Sequence, residues 1–600
     1  MDFKQKAEEK KMSMSKNIAR LAVTAGLTAA LSFGGVMAPV TMAFAAGTPK
    51  VAQSGNVTIK DSIYTDTTFK GIQIFKATVT QDQKADGTWD GSKTLSDITW
   101  AGGESGPVKQ AVIHAFDIVT ADSKPTDLPA GESAQAWAEF INNHGSEVVD
   151  NNVKAGSVLD MIAKALETQT WTDAKSGTVG TFKDIDAGYW LFETKSVGKT
   201  TGADGNEDAF TSPIFTIVGG ADVAPMPKKD VPNVTKAVKD DKGGKFVTDD
   251  SKNVFTAANK AADSAAEQPV EYQLAGTVAS SINTYVKYGY TFTDELPSTM
   301  VPELQGGNPV VEVKIDDSAV DPACYSATYV PGESTNTLTV SFENLKEAKD
   351  KAGNPINVDG SSTVYVNYEA KLVAGKINAD MLGKAQVNNV KLTYSNNPHT
   401  NGTGTTVDHP AYDYTYGIDV TKVGSDEDEA GNPKTLKDVE FTLKEQGTGK
   451  FIKADGTTTS NENEAILTTT SEGKINVVGL DEGTYILTEV KPAPGYNNSA
   501  AGGITFTITN DGLPTNGNPF NPGCRLPEGT DNKLVTVAET NTEDVDGKVH
   551  LTVTDQKGSN LPLTGLNGVT FTWIAGGAVL CIGVAHLIRS RKQAEESEQG

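Results

Sequence analysis

Apolar and polar residues alternate through most of this 600-residue chain. Runs such as YGIDVTKV (Tyr416 to Val423), YGYTFTDELP (Tyr288 to Pro297), TVYVNYEAKL (Thr363 to Leu372) and HLTVTDQ (His550 to Gln556) have the period of two that predicts half-buried strands. Two stretches differ. From Ala134 to His144 and from Ser157 to Glu167 the apolar positions recur at three and four, which predicts short helices. Two uninterrupted apolar runs, from Leu21 to about Val40 and from Val569 to Ile588, frame the whole. The expectation is a mainly β protein with a few short helices in its N-terminal part.

Punctuation between the strands suggests three domains. VAPMPKKDVPNVTKAV (Val223 to Val238) carries three prolines, and YSNNPHTNGTGTTVDHPAYDY (Tyr394 to Tyr414) is rich in Asn, Gly, Thr and Pro. The expected divisions are residues 46–230, 231–410 and 411–560.

In a half-buried strand, residues two apart share a face. Ile418, Val420 and Lys422 then point one way, as do Tyr485, Leu487 and Glu489, and Leu551, Val553 and Asp555. The middle region repeats the pattern with Val234, Lys236 and Val238, with Tyr290, Phe292 and Asp294, and with Asn388, Val390, Leu392 and Tyr394. A lone buried charge is too costly to leave unpaired, and a buried ion pair often fails to recover its desolvation cost. Burial also turns a lysine into a neutral nucleophile. The same burial keeps a neighbouring carboxylic acid protonated, able to polarise a carbonyl and shuttle protons. The product is an uncharged amide between two side chains. In the N-terminal region Glu193 shares the face of Tyr189 and Leu191. There, however, Lys60 turns outward and SPIFTIVGG (Ser212 to Gly220) offers no Asn or Asp, so no such bond is expected and Glu193 is expected as a strand-end carboxylate.

Composition narrows the function. A net charge of −25 argues against nucleic-acid binding. Of three cysteines, Cys581 falls in the last apolar run, and Cys324 and Cys524 are left as a pair that either bridges two domains or stays reduced. No metal-spaced His/Cys cluster, no G-x-S-x-G and no cofactor fingerprint is present. Cofactor and metal are accordingly expected to be none, and the chain is expected not to be a turnover enzyme.

The two ends carry targeting chemistry. Basic residues up to Arg20, the apolar run and Ala43-Phe44-Ala45 predict a signal peptide over residues 1–45. At the other end Leu561, Pro562, Leu563, Thr564 and Gly565 precede an apolar stretch, residues 569–588, long enough to span a bilayer. Arg589, Arg591 and Lys592 open a basic cytoplasmic tail, residues 589–600. This ordered triplet resembles the LPxTG sorting signal of Gram-positive surface proteins. The resemblance implies cleavage after Thr564 by a sortase, transient membrane retention and attachment to peptidoglycan at the cell wall.

YILTEVKPAPGY (Tyr485 to Tyr496) is similar to the E-box of collagen-adhesin B-type pilin domains, with one extra residue before Ala-Pro. The resemblance implies tandem immunoglobulin-like β-sandwich domains and internal isopeptide bonds. In the last domain Lys422 would be the nucleophile, Asp555 the acceptor and Glu489 the catalytic acid. In the middle domain the bond would be Lys236–Asn388, assisted by Asp294, with Asn389, Asn396 and Asn397 as competing acceptors. VAPMPKKDVP resembles the pilin motif of backbone subunits, with Lys228 as the intersubunit acceptor and Lys229 as runner-up. The resemblance as a whole implies the major subunit of a sortase-assembled pilus. Its partners would be copies of itself joined head to tail, accessory pilins, peptidoglycan and a host matrix protein or glycan. A monomeric wall-anchored adhesin and an accessory pilin are the alternatives.

Overall fold

The structure is a computed structural model. It describes residues 48–558 except 118–123, 150–151, 176–177, 199–204, 242–245, 247, 250–253, 256–258 and 539–544. The expected signal peptide, sorting signal, membrane span and cytoplasmic tail lie outside the described residues. Among the described residues no helix is long and apolar enough to cross a membrane.

The fold is mainly β, as the alternation predicts, and its sheets form three consecutive units. In the first, Thr68–Gln83 pairs with Gly188–Ser196, which pairs in turn with Ile214–Val218. Helices Ala134–Asn143 and Val158–Leu166 pack on this sheet at the positions their periodicity predicts, capped by the hydroxyls of Ser133 and Ser157. A third short helix, Pro107–His114, starts on a proline whose missing N–H costs nothing at that position.

The middle unit is a two-sheet sandwich. One sheet holds Val234–Lys239, Val270–Thr277, Thr363–Leu372 and Val311–Ile315. The facing sheet holds His409–Tyr414, Gln386–Ser395, Tyr290–Pro297 and Thr335–Phe342. The strand His409–Tyr414 thus pairs within the middle unit, and the next strand begins at Tyr416. Side chains interleave as period two requires: every second residue of Tyr290–Pro297 and of Gln386–Ser395 is buried.

In the last unit Tyr416–Glu427 and Lys548–Asp555 are neighbours although they open and close the unit. They run parallel, from Gly417 opposite Lys548 to Gly424 opposite Asp555. Parallel neighbours need a long crossover, and here the rest of the unit supplies it. The facing sheet contains Glu440–Glu445, Gly483–Lys491 and Ile504–Thr509. At the junction with the middle unit, Gly547 adopts a φ of 67° against Gly383. A Cβ at Gly547 would stand 2.1 Å from the Gly383 nitrogen, so only glycine allows the two backbones to approach this closely.

Candidate cross-linking sites

In the middle unit the four groups come from both sheets. Lys236 lies opposite Leu274, and Tyr368 lies opposite Tyr272, so lysine and tyrosines share the inner face of one sheet. Asp294 pairs with Val390 in the facing sheet, which places Asn388 beside it on the same inner face. Lys236, Asp294 and Asn388 are fully buried. The lysine amine donates to Asp294 Oδ1 and, at 3.1 Å, to the Tyr368 hydroxyl. That hydroxyl donates to Asp294 Oδ2 and accepts from Asn388 Nδ2 at 2.8 Å. Asn388 Oδ1 has no hydrogen-bond partner. The lysine amine also sits over the Tyr272 and Tyr368 rings, 5.2 and 5.7 Å from their centroids.

Burial pushes Lys236 down to about 8, opposed by the adjacent Asp294 carboxylate. Burial pushes Asp294 up, opposed by Lys236. Both shifts favour the neutral forms, an amine with a free lone pair and a carboxylic acid with a proton to give.

Asn388 is fully buried, whereas its neighbour Asn389, a competing acceptor, is only half-buried. Asn396 instead donates to the Asp208 carbonyl at 3.2 Å, and Asn397 accepts from the His399 N–H at 2.9 Å. Of the four asparagines, only Asn388 shares a hydrogen-bonding group with Lys236. Sequence reasoning missed Tyr368. The inward alternation of Val364, Val366 and Tyr368 signalled its burial, but not that its hydroxyl bridges lysine, acid and amide.

In the last unit Lys422 Nζ stands 2.6 Å from Asp555 Oδ1 and 3.1 Å from Glu489 Oε2, with all three side chains at 0 % exposure. Lys422 and Asp555 come from the paired parallel strands, and Glu489 reaches in from the facing sheet. The Phe441 ring covers the amine at 5.5 Å. The Ser499 N–H donates to Asp555 Oδ1 at 3.3 Å, while Asp555 Oδ2 and Glu489 Oε1 lack hydrogen-bond partners. Burial pushes Glu489 up to about 7, opposed by the Lys422 ammonium and reinforced by the Asp555 charge. The amine therefore touches a carboxyl group while a second, protonatable carboxyl faces both.

The two candidate acceptor lysines differ. Lys229 is enclosed, paired with Asp61 at 2.5 Å and with Asp208. Lys228 is half-buried, and its backbone is fixed by the Thr211 hydroxyl and the Ser212 N–H, both at 2.7 Å. Its amine makes no ion pair among the described residues. Cys324 and Cys524 are both free thiols in different units, so the reduced alternative holds. Glu193, expected as a strand-end carboxylate, is instead buried where the first and middle units meet.

Residues 417–518 match the model of the SpaA prealbumin-like fold domain, a stretch that includes Lys422 and Glu489 but ends before Asp555. No curated protein matches the chain. Among solved structures the chain is similar to the T6 backbone pilin of serotype M6 Streptococcus pyogenes, at 14% identity over 85% of this chain and 99% of that one, with a TM-score of 0.46. It is similar to the major pilin SpaA of Corynebacterium diphtheriae at 14% identity over 70% of this chain and 91% of that one, TM-score 0.36. For the full-length major pilin RrgB of Streptococcus pneumoniae the figures are 14%, 66%, 89% and 0.37. Residues 417–518 are thus a SpaA-type prealbumin-like domain, and the three solved structures named are backbone or major pilins.

Proposed function

We propose that this chain is the backbone subunit of a covalently polymerised surface pilus, with two internal amide cross-links. Sortase breaks the Thr564–Gly565 peptide bond of one copy and releases the segment from Gly565 onward. It transfers the Thr564 acyl group to the Lys228 amine of the next copy or, for the last copy, to peptidoglycan. Such a head-to-tail contact does not close on itself, so growth is open-ended. The chain is a substrate of the transpeptidase, and its own chemistry happens once in the middle unit and once in the last.

The observation that carries this reading is the pair of fully buried lysines, each held against a buried acid. In the middle unit Lys236 Nζ bonds to Asn388 Cγ, the Cγ–Nδ2 bond breaks and ammonia leaves. Asp294 takes the lysine proton and, through Tyr368, returns one to the departing nitrogen. In the last unit Lys422 Nζ bonds to Asp555 Cγ, a Cγ–Oδ bond breaks, and Glu489 gives a proton to the departing oxygen and takes one from the lysine nitrogen, so that water leaves. Each reaction replaces buried charges with a neutral group, which removes the desolvation cost of the ion pair. Intact mass of the unfolded mature chain tests both bonds: the expected deficit is one ammonia and one water, and an undiminished mass would sink them.

Tyr368→Phe keeps the ring and removes the bridging hydroxyl. Cross-linking in the middle unit is expected to slow by about tenfold or more while the last unit reacts normally, read by peptide mass mapping of freshly synthesised chain.

The last unit should also show a pH limit. Glu489 acts as an acid only while protonated, and its pKa is raised to about 7. Amide formation in freshly synthesised chain is expected to fall about tenfold per pH unit above that value. Stability of the unreacted unit follows the same sign. The raised pKa contributes stability that is full below the unfolded value of 4.5 and is lost as pH rises through 7. A rate that climbs steadily through pH 9 would contradict the acid role.

A further inference from the structure

A third buried cluster lies where the first and middle units meet, and neither cross-link uses it. Glu193 stands on the strand Gly188–Ser196, Glu167 follows the helix Val158–Leu166, and His399 comes from the loop after Gln386–Ser395. One ligating atom from each lies within 4.8 Å of the others. The His399 and Glu193 side chains are 2 % and 1 % exposed. Neither imidazole nitrogen and neither Glu193 oxygen has a hydrogen-bond partner.

His399 Nε2 and Glu193 Oε1 stand 3.6 Å apart. That is too long for a hydrogen bond. It does match the edge of a tetrahedral shell, where metal–ligand bonds of about 2.1 Å set ligand atoms roughly 3.4 Å apart. Lys70 is the local counter-charge. It donates to Glu167, lies 3.6 Å from Glu193 and sits over the Trp171 ring at 4.1 Å. It leaves both the imidazole and the Glu193 carboxyl without a hydrogen bond.

We propose that Glu167, Glu193 and His399 form a site for a divalent transition metal ion such as Zn²⁺, stapling the first unit to the middle one. One imidazole and two carboxylates suit zinc, and three protein ligands leave the fourth position to water. The site adjoins a clasp already present: the Phe210 N–H donates to the Asn396 carbonyl at 2.7 Å, and the Glu207 N–H to the Thr405 carbonyl at 3.0 Å. A metal here would fix the angle at which the Lys228 segment is presented.

The test is calorimetric titration of chelator-treated full-length chain with ZnCl₂. One equivalent is expected to bind with a Kd on the order of micromolar or tighter. His399→Ala should weaken it at least about tenfold, and Lys70→Met, which removes the competing ammonium, should tighten it. Binding that survives His399→Ala unchanged, or no saturable binding in either wild type or Lys70→Met, overturns the proposal. Should His399→Ala fail to fold, Co²⁺-loaded wild type decides: visible absorption of a tetrahedral cobalt centre supports the site, and its absence overturns it.

Discussion

Glu489→Gln is expected to restore the mass of one water to the mature chain and to remove about 2–5 kcal/mol of stability from the last unit. The substitution keeps the nucleophile, the acceptor and nearly the same volume, and takes away only the acid. Lys422 and Asp555 then remain an ion pair at 2.6 Å. The loop closed by the amide runs from residue 422 to residue 555, almost the whole unit, so its loss frees a large part of the unfolded ensemble. Lys422→Ala should be worse still. It leaves the Glu489 and Asp555 carboxyls buried without a cation, a situation worth a further 3–5 kcal/mol or so. Chemical denaturation with mass spectrometry of the same samples checks both. If Glu489→Gln still shows the water deficit, the carboxyl is not the acid. Because the amide resists unfolding more than it speeds folding, the difference should appear chiefly as faster unfolding and faster proteolysis.

Lys228→Arg is expected to abolish the high-molecular-weight ladder that cell-wall extracts give on a denaturing gel. Arginine keeps the charge and the backbone contacts to Thr211 and Ser212 but offers no nucleophilic amine. Lys229→Ala should behave differently. Lys229 is held between Asp61 and Asp208, both of which lose their cation, so the expected result is a less stable first unit by about 3–5 kcal/mol with the ladder still formed. A ladder that persists in Lys228→Arg and vanishes in Lys229→Ala would reverse the assignment. A ladder that survives both would remove the polymer reading and leave a wall-anchored monomer.

Period two was enough to find the inward charges. Lys236, Asp294, Lys422, Glu489 and Asp555 were each recognisable as the wrong residue type on an apolar face, and all five are buried. Alternation is a local property of a strand, imposed by the pleat, so it survives in the sequence. The helices Ala134–Asn143 and Val158–Leu166 were legible for the same reason, with the 3.6 period in place of two.

Partnership was another matter. Nothing local states that the strand Tyr416–Glu427 lies beside Lys548–Asp555, since that pairing depends on the path of every residue between them. Tyr368 was visible as an inward aromatic, but its bridge to Lys236, Asp294 and Asn388 exists only once two sheets face each other. Lys228 and Lys229 are adjacent and chemically identical, and their difference in ion pairing is set by distant Asp61 and Asp208. Glu193 and His399 belong to different units and acquire a shared environment only at their contact. The sequence by itself determined which side chains turn inward, because facing is set by backbone geometry over a few residues. Tertiary structure alone decided which of them meet, because proximity between distant segments is set by packing of the whole chain.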